Sequence, residues 1–196
     1  MTGVATARTR VGVLGVQGAV SEHAKRLESL GVQAVLVRRP DDLDSIDGLV
    51  IPGGESTTIG RLIRQYNLFE PIRKRGEEGM PLFGTCAGMI LLAKRIHGQE
   101  QAHLGLLDAT VDRNSFGRQR DSFEAGIPVA GLGDEPYAAV FIRAPHIMEA
   151  GDAVTVLARY DGKIVAAREG NVLVTSFHPE LTDDPRMHRL FLNMID

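Results

Sequence analysis

The chain has 196 residues, 43% of them hydrophobic, with a formal net charge of −3, six histidines and a single cysteine. That length suits one domain with a sizeable core, and the near-balanced charge argues against a nucleic-acid or anionic-membrane surface. One cysteine excludes an internal disulfide and a cysteine-based zinc site, which points to a reducing, cytoplasmic setting. No apolar run is long enough to span a membrane. Residues 1–9 contain no apolar signal core, so they read as a flexible tail ahead of a single domain over 10–196.

In chain order, Val11 to Val16 is a continuous apolar run suited to a strand covered on both faces. Gln17-Gly18 breaks it. Val20, Ala24, Leu27 and Leu30 recur at helical spacing until Gly31 stops the helix. Residues 32–37 and 48–51 are further strands with an Asp-rich connection between them. This β-α-β order predicts a mostly parallel sheet with right-handed crossovers and helices on both faces. Pro52-Gly53-Gly54-Glu55 follows the third strand, Ser56 reads as the cap of a helix over 57–65, and 68–78 is a second helical segment. The run 81–83 is a buried strand that breaks at Gly84. One cysteine comes next, and Ala87 to Ala93 begins a helix. Residues 104–111, 122–129 and 137–142 are strand-like with no helix between, which predicts an antiparallel extension at one side of the sheet. Residues 154–160 and 163–168 form a hairpin around Asp161-Gly162. The run 172–177 is another strand. Asp184-Pro185 opens a last helix with Met187, Leu190, Phe191 and Met194 on one face.

Functional loops in such sheets gather at the carboxyl ends of strands. Gln17-Gly18, Gly53-Gly54-Glu55 and Gly84-Thr85-Cys86 all sit at such ends. Strand, sharp turn and helix around Gly84-Thr85-Cys86-Ala87-Gly88 is the geometry of a nucleophile elbow, which pushes one side chain out of the sheet. Helix-start N–H groups there favour a thiolate and can hold an oxyanion. Taken alone, Cys86 reads more readily as a small buried hydrophobe, as most free cysteines do. A cysteine hydrolase also needs a base and a group that orients the base. His178 ends the run 172–177 at the same edge, and Glu180 follows two residues later. An extended His-x-Glu puts both side chains on one side of the backbone. His23, His97, His103 and His188 read as surface or internally satisfied histidines, and His146 as a supporting residue of the site. No histidine–carboxylate cluster has metal-ligand spacing. Gly53-Gly54 is either a plain strand–helix turn or a place where backbone approaches substrate; it lacks the Gly-Lys-Ser/Thr end of a phosphate loop. Arg113 lies in the polar stretch 112–119, either as a fork for a carboxylate or as part of an exposed loop.

Gly84-Thr85-Cys86-Ala87-Gly88 with His178-Pro179-Glu180 resembles the class I (triad) glutamine amidotransferases. Further segments narrow the likeness: Gly15 to His23, Pro52 to Thr58, Asp112 to Gln119, Phe141 to Pro145 and Ser176 to Leu181. Together they are similar to the glutaminase subunits of pyridoxal 5′-phosphate synthase, in order over residues 10–196. The resemblance implies a flavodoxin-like α/β fold and hydrolysis of L-glutamine to glutamate and ammonia. It implies Cys86 as nucleophile, His178 as base and acid, and Glu180 as its orienter. It assigns Gly53, Gly54, Glu55, Arg113, Ile142 and Arg143 to glutamine; in the mechanism this suggests, the backbone N–H groups of Gly54 and Ala87 would hold the oxyanion. Gln17 and Gly18 would meet the synthase subunit, in an assembly of twelve plus twelve subunits. Neither a cofactor nor a metal is expected. Arg113 on the substrate α-carboxylate and Glu55 on its α-ammonium is the pairing that simple charge chemistry suggests. Rival readings are a cysteine peptidase or another amidotransferase subunit on the same elbow, or a non-catalytic scaffold.

Overall fold

The computed structural model describes residues 8–116 and 121–195; the expected tail residues 1–7, and Gly117, Arg118 and Gln119 of the polar stretch, lie outside them. Arg8 and Thr9 are already tied down. The Arg8 guanidinium donates to the carbonyls of Gly31 and Val32, and the Thr9 carbonyl accepts from Gln33 N–H.

The chain runs β1 (Arg10–Leu14), α1 (Val20–Ser29), β2 (Gln33–Val37), β3 (Gly48–Ile51), α2 (Ser56–Gln65), α3 (Phe69–Glu77), β4 (Leu82–Thr85) and α4 (Ala87–Leu92). Then come β5 (Ala93–Ile96), β6 (Leu107–Asp112), β7 (Ser122–Ile127), β8 (Tyr137–Ile142), β9 (His146–Ala150), β10 (Thr155–Tyr160), β11 (Lys163–Glu169), β12 (Val172–Thr175) and α5 (Arg186–Leu192). The main sheet has the order β2-β1-β3-β4-β12-β11-β9-β6-β5, with β10 on β11. From β2 to β12 every pairing is parallel, and antiparallel strands follow from β11 outward, with β5 and β6 again parallel.

Successive residues of the central strands serve opposite cores, which is why their sequences are continuously apolar rather than alternating. Leu14, Leu49, Ile51, Leu82 and Val174 face Ile59, Ile63, Ile72 and the α4 side chains. Val11, Val13, Val50, Phe83 and Leu173 face Leu27 of α1 and Met187 and Phe191 of α5. Helices therefore cover both faces. Asn171 joins two elements by donating from its side-chain amide to the carbonyls of Gly76 and Met80, at 2.8 and 2.7 Å.

Four sequence expectations need correction. Glu55, not Ser56, caps α2: its side chain folds forward over the first turn to accept from Thr57 and Thr58 N–H. Ala93 leaves the elbow helix and starts β5, so α4 spans only six residues. The strands 122–127 and 137–142 do not extend the main sheet. They pair with each other as a separate two-stranded ribbon. The ribbon adheres through aromatic side chains instead: Phe123 stacks on Phe141 with centroids 4.8 Å apart, and Phe116, Tyr160 and Phe177 surround them. The antiparallel side of the main sheet is built from β11, β9 and β6 in its place, and β9 is a strand that the sequence pattern did not reveal.

Candidate active site

Register decides what meets at the carboxyl edge. β4 and β12 lie side by side in parallel with Thr85 opposite Thr175, and Cys86 N–H donates to the Thr175 carbonyl at 2.8 Å. The residues leaving these strands, Cys86 and His178, are thereby delivered to the same place. β3 is the other neighbour of β4, with Ile51 opposite Gly84, so the Gly53-Gly54 loop emerges beside the cysteine. β1 flanks β3 and contributes Gln17-Gly18. The crevice at the carboxyl ends of β1 and β3, with β2 on the far side of β1, is the topological switch point where open α/β sheets hold ligands.

At the elbow Cys86 has φ 53° and ψ −104°, a left-handed backbone that an L-residue adopts only when its surroundings enforce it. Two glycines make that turn possible. A Cβ on Gly84 would lie 2.6 Å from Gly88 backbone, and one on Gly88 would overlap the Ile51 carbonyl. The G-x-C-x-G spacing is thus a packing requirement between β4, α4 and β3. The Cys86 sulfur is nearly buried and lies 3.8 Å from the Ile142 carbonyl oxygen. Ala87 N–H opens α4, among the amides that no intrahelical carbonyl can satisfy.

His178 Nδ1 and Glu180 Oε1 are 2.6 Å apart, with the Glu180 side chain fully buried. The link between them is not extended. Pro179–Leu181 is a 3-10 turn, because Pro179 fixes its own φ at a helical value, and the tight turn carries Glu180 back under the imidazole. His178 N–H also donates to the Val140 carbonyl, which docks the ribbon over the site. Burial alone would lower the His178 pKa. Hydrogen bonds to the Cys86 sulfur and the Glu180 carboxylate, together with their charges, override burial and raise it to about 10. Glu180 therefore holds His178 by a hydrogen bond, and the neighbouring Cys86 adds to the upward shift that biases the imidazole toward imidazolium.

An open pocket of about 760 Å³ lies in front of the sulfur. Gly54, Glu55, Cys86, Ala87, Arg113 and Arg143 line it, with Ile142 next to Arg143 at the exposed end of β8. Gly53 is buried behind the pocket wall: a Cβ there would stand 2.6 Å from His178 Cε1 and 3.4 Å from Cys86 Cβ. Arg113 and Glu55 are 3.4 Å apart and pair with each other across the rim. Hydrogen bonds from Thr58 and Thr57, with Arg113 adding charge, hold the Glu55 carboxyl below its ordinary pKa. Gln17 is half-buried, and its Oε1 accepts Glu55 N–H at 2.8 Å. Ala19 N–H donates to the Gly53 carbonyl at 3.2 Å, and a Cβ on Gly18 would overlap that carbonyl. The β1 loop therefore braces the Gly53-Gly54 loop, and Gly18 is its exposed edge. Among the described residues, no group of three or more His, Cys, Asp or Glu side chains could hold a metal ion, and no helix is long and apolar enough to cross a membrane.

Sequence reasoning missed several residues. His97, Gly98, Gln99 and Asp121 also line the pocket, brought there by turns that carry no motif. His146 bonds Ser115, the neighbour of Asn114 in the pocket lining. His23 and His188 are fully buried behind the triad, where helical spacing alone gave no sign of their partners.

Two outcomes follow from this geometry. Gly53→Ala should abolish turnover through displacement of the His178 ring, while thermal stability falls only modestly; steady-state kinetics with a melting curve would show it. The His178 shift has a definite sign in stability. A folded-state pKa raised from 6.5 to about 10 gives stabilisation that is complete below pH 6.5 and lost as pH rises through about 10. The melting temperature should therefore drop more steeply between pH 7 and 10 in the natural chain than in Cys86→Ala. Equal slopes would contradict the Cys86–His178 hydrogen bond.

Comparison with known proteins gives this geometry a lineage. A family model described as the SNO glutamine amidotransferase family matches residues 13–196. The pyridoxal 5′-phosphate synthase subunit PdxT of Geobacillus kaustophilus (strain HTA426) is 60% identical over 186 residues, covering 95% of this chain and 94% of that protein. The protein of the same name from Pelotomaculum thermopropionicum is 59% identical over 183 residues, covering 93% of each chain. A crystal structure of a glutamine amidotransferase superposes with a TM-score of 0.89 at 52% identity, over 94% of this chain and 97% of the other. The structure of PurLQS from Thermotoga maritima shares the fold at a TM-score of 0.72 and 20% identity, over 95% and 98% of the two chains. The chain belongs to the SNO glutamine amidotransferase family.

Proposed function

We propose that this chain is the glutaminase subunit of a pyridoxal 5′-phosphate synthase, hydrolysing L-glutamine to L-glutamate and ammonia and passing the ammonia to a synthase subunit. The observation that carries the reading is Cys86 on a strained elbow beside a His178 that is hydrogen-bonded to Glu180, in a chain 60% identical to a protein of that name.

The chemistry follows from the atoms present. Cys86 sulfur, paired with the His178 imidazolium, attacks the side-chain amide carbon of glutamine. The oxyanion takes hydrogen bonds from Ala87 N–H and from Gly54 N–H, each such donor being worth roughly 2.7–4 kcal/mol of barrier. His178 then protonates the departing nitrogen, so the C–N bond breaks and ammonia leaves a γ-glutamyl thioester on Cys86. His178, now neutral, takes a proton from water, and hydroxide attack on the thioester carbon releases glutamate and restores the thiolate. Glu180 holds the imidazole tautomer throughout. The Ile142 carbonyl, 3.8 Å from the sulfur, is suited to accept an N–H of the substrate amide. At the rim, the α-carboxylate of glutamine takes Arg113 and its α-ammonium takes Glu55, so the zwitterion replaces the ion pair that these two residues make with each other. Arg143 completes the cationic side.

The open pocket suits a site completed by a partner in the cytoplasm, with twelve glutaminase chains on a twelve-membered synthase core. Ammonia released with no acceptor wastes glutamine. A synthase subunit pressing on Gln17-Gly18 would act directly on the bonds from Ala19 N–H to Gly53 and from Glu55 N–H to Gln17, and glycines tolerate the peptide flip that would turn Gly54 N–H toward the oxyanion.

Glutamate release from glutamine by the chain, alone and with a pyridoxal 5′-phosphate synthase subunit, tests this reading. Strong stimulation that is lost in Cys86→Ala is the expected result, with Arg113→Ala raising KM by roughly tenfold or more. No glutamate in either condition, with the two proteins shown to bind, would overturn it. An unchanged KM in Arg113→Ala would remove the α-carboxylate assignment alone.

A further inference from the structure

Behind the triad lies a second, fully buried set of polar side chains that the reaction above does not use. His23 on α1, His188 on α5 and Thr85 at the end of β4 are all inaccessible to solvent. His23 Nε2 stands 3.3 Å from Glu180 Oε2 and 3.2 Å from Thr85 Oγ1, while His23 Nδ1 is 2.9 Å from His188 Nε2. Among the described residues, Glu180 Oε2 has no well-aligned hydrogen-bond partner, and His188 Nδ1 has none.

Proton counting fixes the arrangement. Burial first keeps both rings neutral; His23 is further depressed by the nearby His188 and His178, and His188 falls to about 3 with the Arg26 charge on α1 adding to burial. Each ring therefore carries one proton. With its proton on Nδ1, His23 would present a bare lone pair to the carboxylate, and Oε2 would have no donor in a dry interior. With the proton on Nε2, His23 donates toward Oε2 and Thr85 Oγ1, and its Nδ1 is free to accept. His188 must then supply Nε2–H, which leaves its unpartnered Nδ1 as a bare acceptor rather than an orphaned donor. That is the less costly choice.

We infer that His23 is a positioning residue for glutamine hydrolysis, its Nε2–H anchoring the distal oxygen of Glu180, with His188 setting the tautomer of His23. The hydrogen-bonded line then runs from His178, beside the Cys86 sulfur, through Glu180 and His23 to His188, from the open edge of the sheet to the helix that closes its far face. Glu180 can orient His178 only if its own rotamer is fixed, and His23 supplies the contact to its free oxygen. Thr85, adjacent to the nucleophile, shares the same proton and ties the anchor to the elbow itself.

The inference rests on the glutaminase reading for its kinetic consequence but not for its spectroscopic one. Side-chain nitrogen–proton correlation spectra of the whole chain, labelled with 15N-histidine and assigned by loss of signal in His23→Gln, should find His23 and His188 both neutral and both protonated on Nε2. A His23 proton on Nδ1, or an imidazolium at either position, would overturn the inference whether or not the chain is a glutaminase. With the synthase subunit present, His23→Leu should lower kcat by about 100-fold and leave KM within about twofold, as a displaced catalytic group does. His23→Gln keeps an N–H near the Nε2 position and should regain at least about tenfold of that loss. A His23→Leu enzyme with natural kcat, or equal loss in both variants, would show that the ring only fills space and would also overturn it. Absence of glutamate from the natural chain itself would count against the glutaminase reading, leaving the tautomer result to decide this one.

Discussion

The parallel pairing of β4 with β12, locked by Cys86 N–H on the Thr175 carbonyl, is the constraint on which the rest depends. Just over ninety positions of sequence separate Cys86 from His178, yet the register of two adjacent four-residue strands brings them to the same edge. Both strands are buried on both faces, so a slip of one residue would exchange Phe83 and Leu173 with Leu82 and Val174 between the two cores. Core packing on α1, α5, α2 and α3 therefore holds Cys86 and His178 at one edge. The strained backbone at Cys86 is sustained in the same way, by a sheet and a helix that approach too closely for any side chain at Gly84 or Gly88.

Charge is organised around that line in layers. The sulfur and imidazole sit at the open edge, Glu180 lies beneath them with no solvent contact, and neutral imidazoles back the carboxylate. A buried carboxylate with one strong partner and one free oxygen is costly, and a neutral ring 3.3 Å from that oxygen adds no second positive charge that would compete with His178. At the pocket mouth the logic differs. Arg113 and Glu55 are partly exposed and pair with each other, and Glu55 also with the start of α2, a contact that costs little to displace.

Much of this was legible in the sequence because the signals were local. Apolar runs at 11–16, 48–51 and 172–177 mark strands covered on both faces, and Gly84 and Gly88 around a lone cysteine mark the elbow. The Asp161-Gly162 hairpin and the helix start at Asp184-Pro185 were equally plain. What was not legible depended on contacts distant in sequence. The ribbon 122–142 looks like sheet edge in its alternation, and only aromatic packing on Phe141 and Tyr160 separates it from the main sheet. Glu55 as cap rather than Ser56 is a matter of side-chain reach. His23 and His188 carry no motif of their own; they become meaningful only when α1 and α5 are laid on the same face beside Glu180.

The central claim is that Cys86 carries the acyl group, and acid-quenched mass spectrometry of the chain caught during turnover tests it most directly. With glutamine and the synthase subunit present, the account predicts a glutamine-dependent mass increase of one glutamyl group on the peptide containing Cys86, absent from Cys86→Ala. Glutamate formation with no such adduct, or an adduct on another residue, would contradict it.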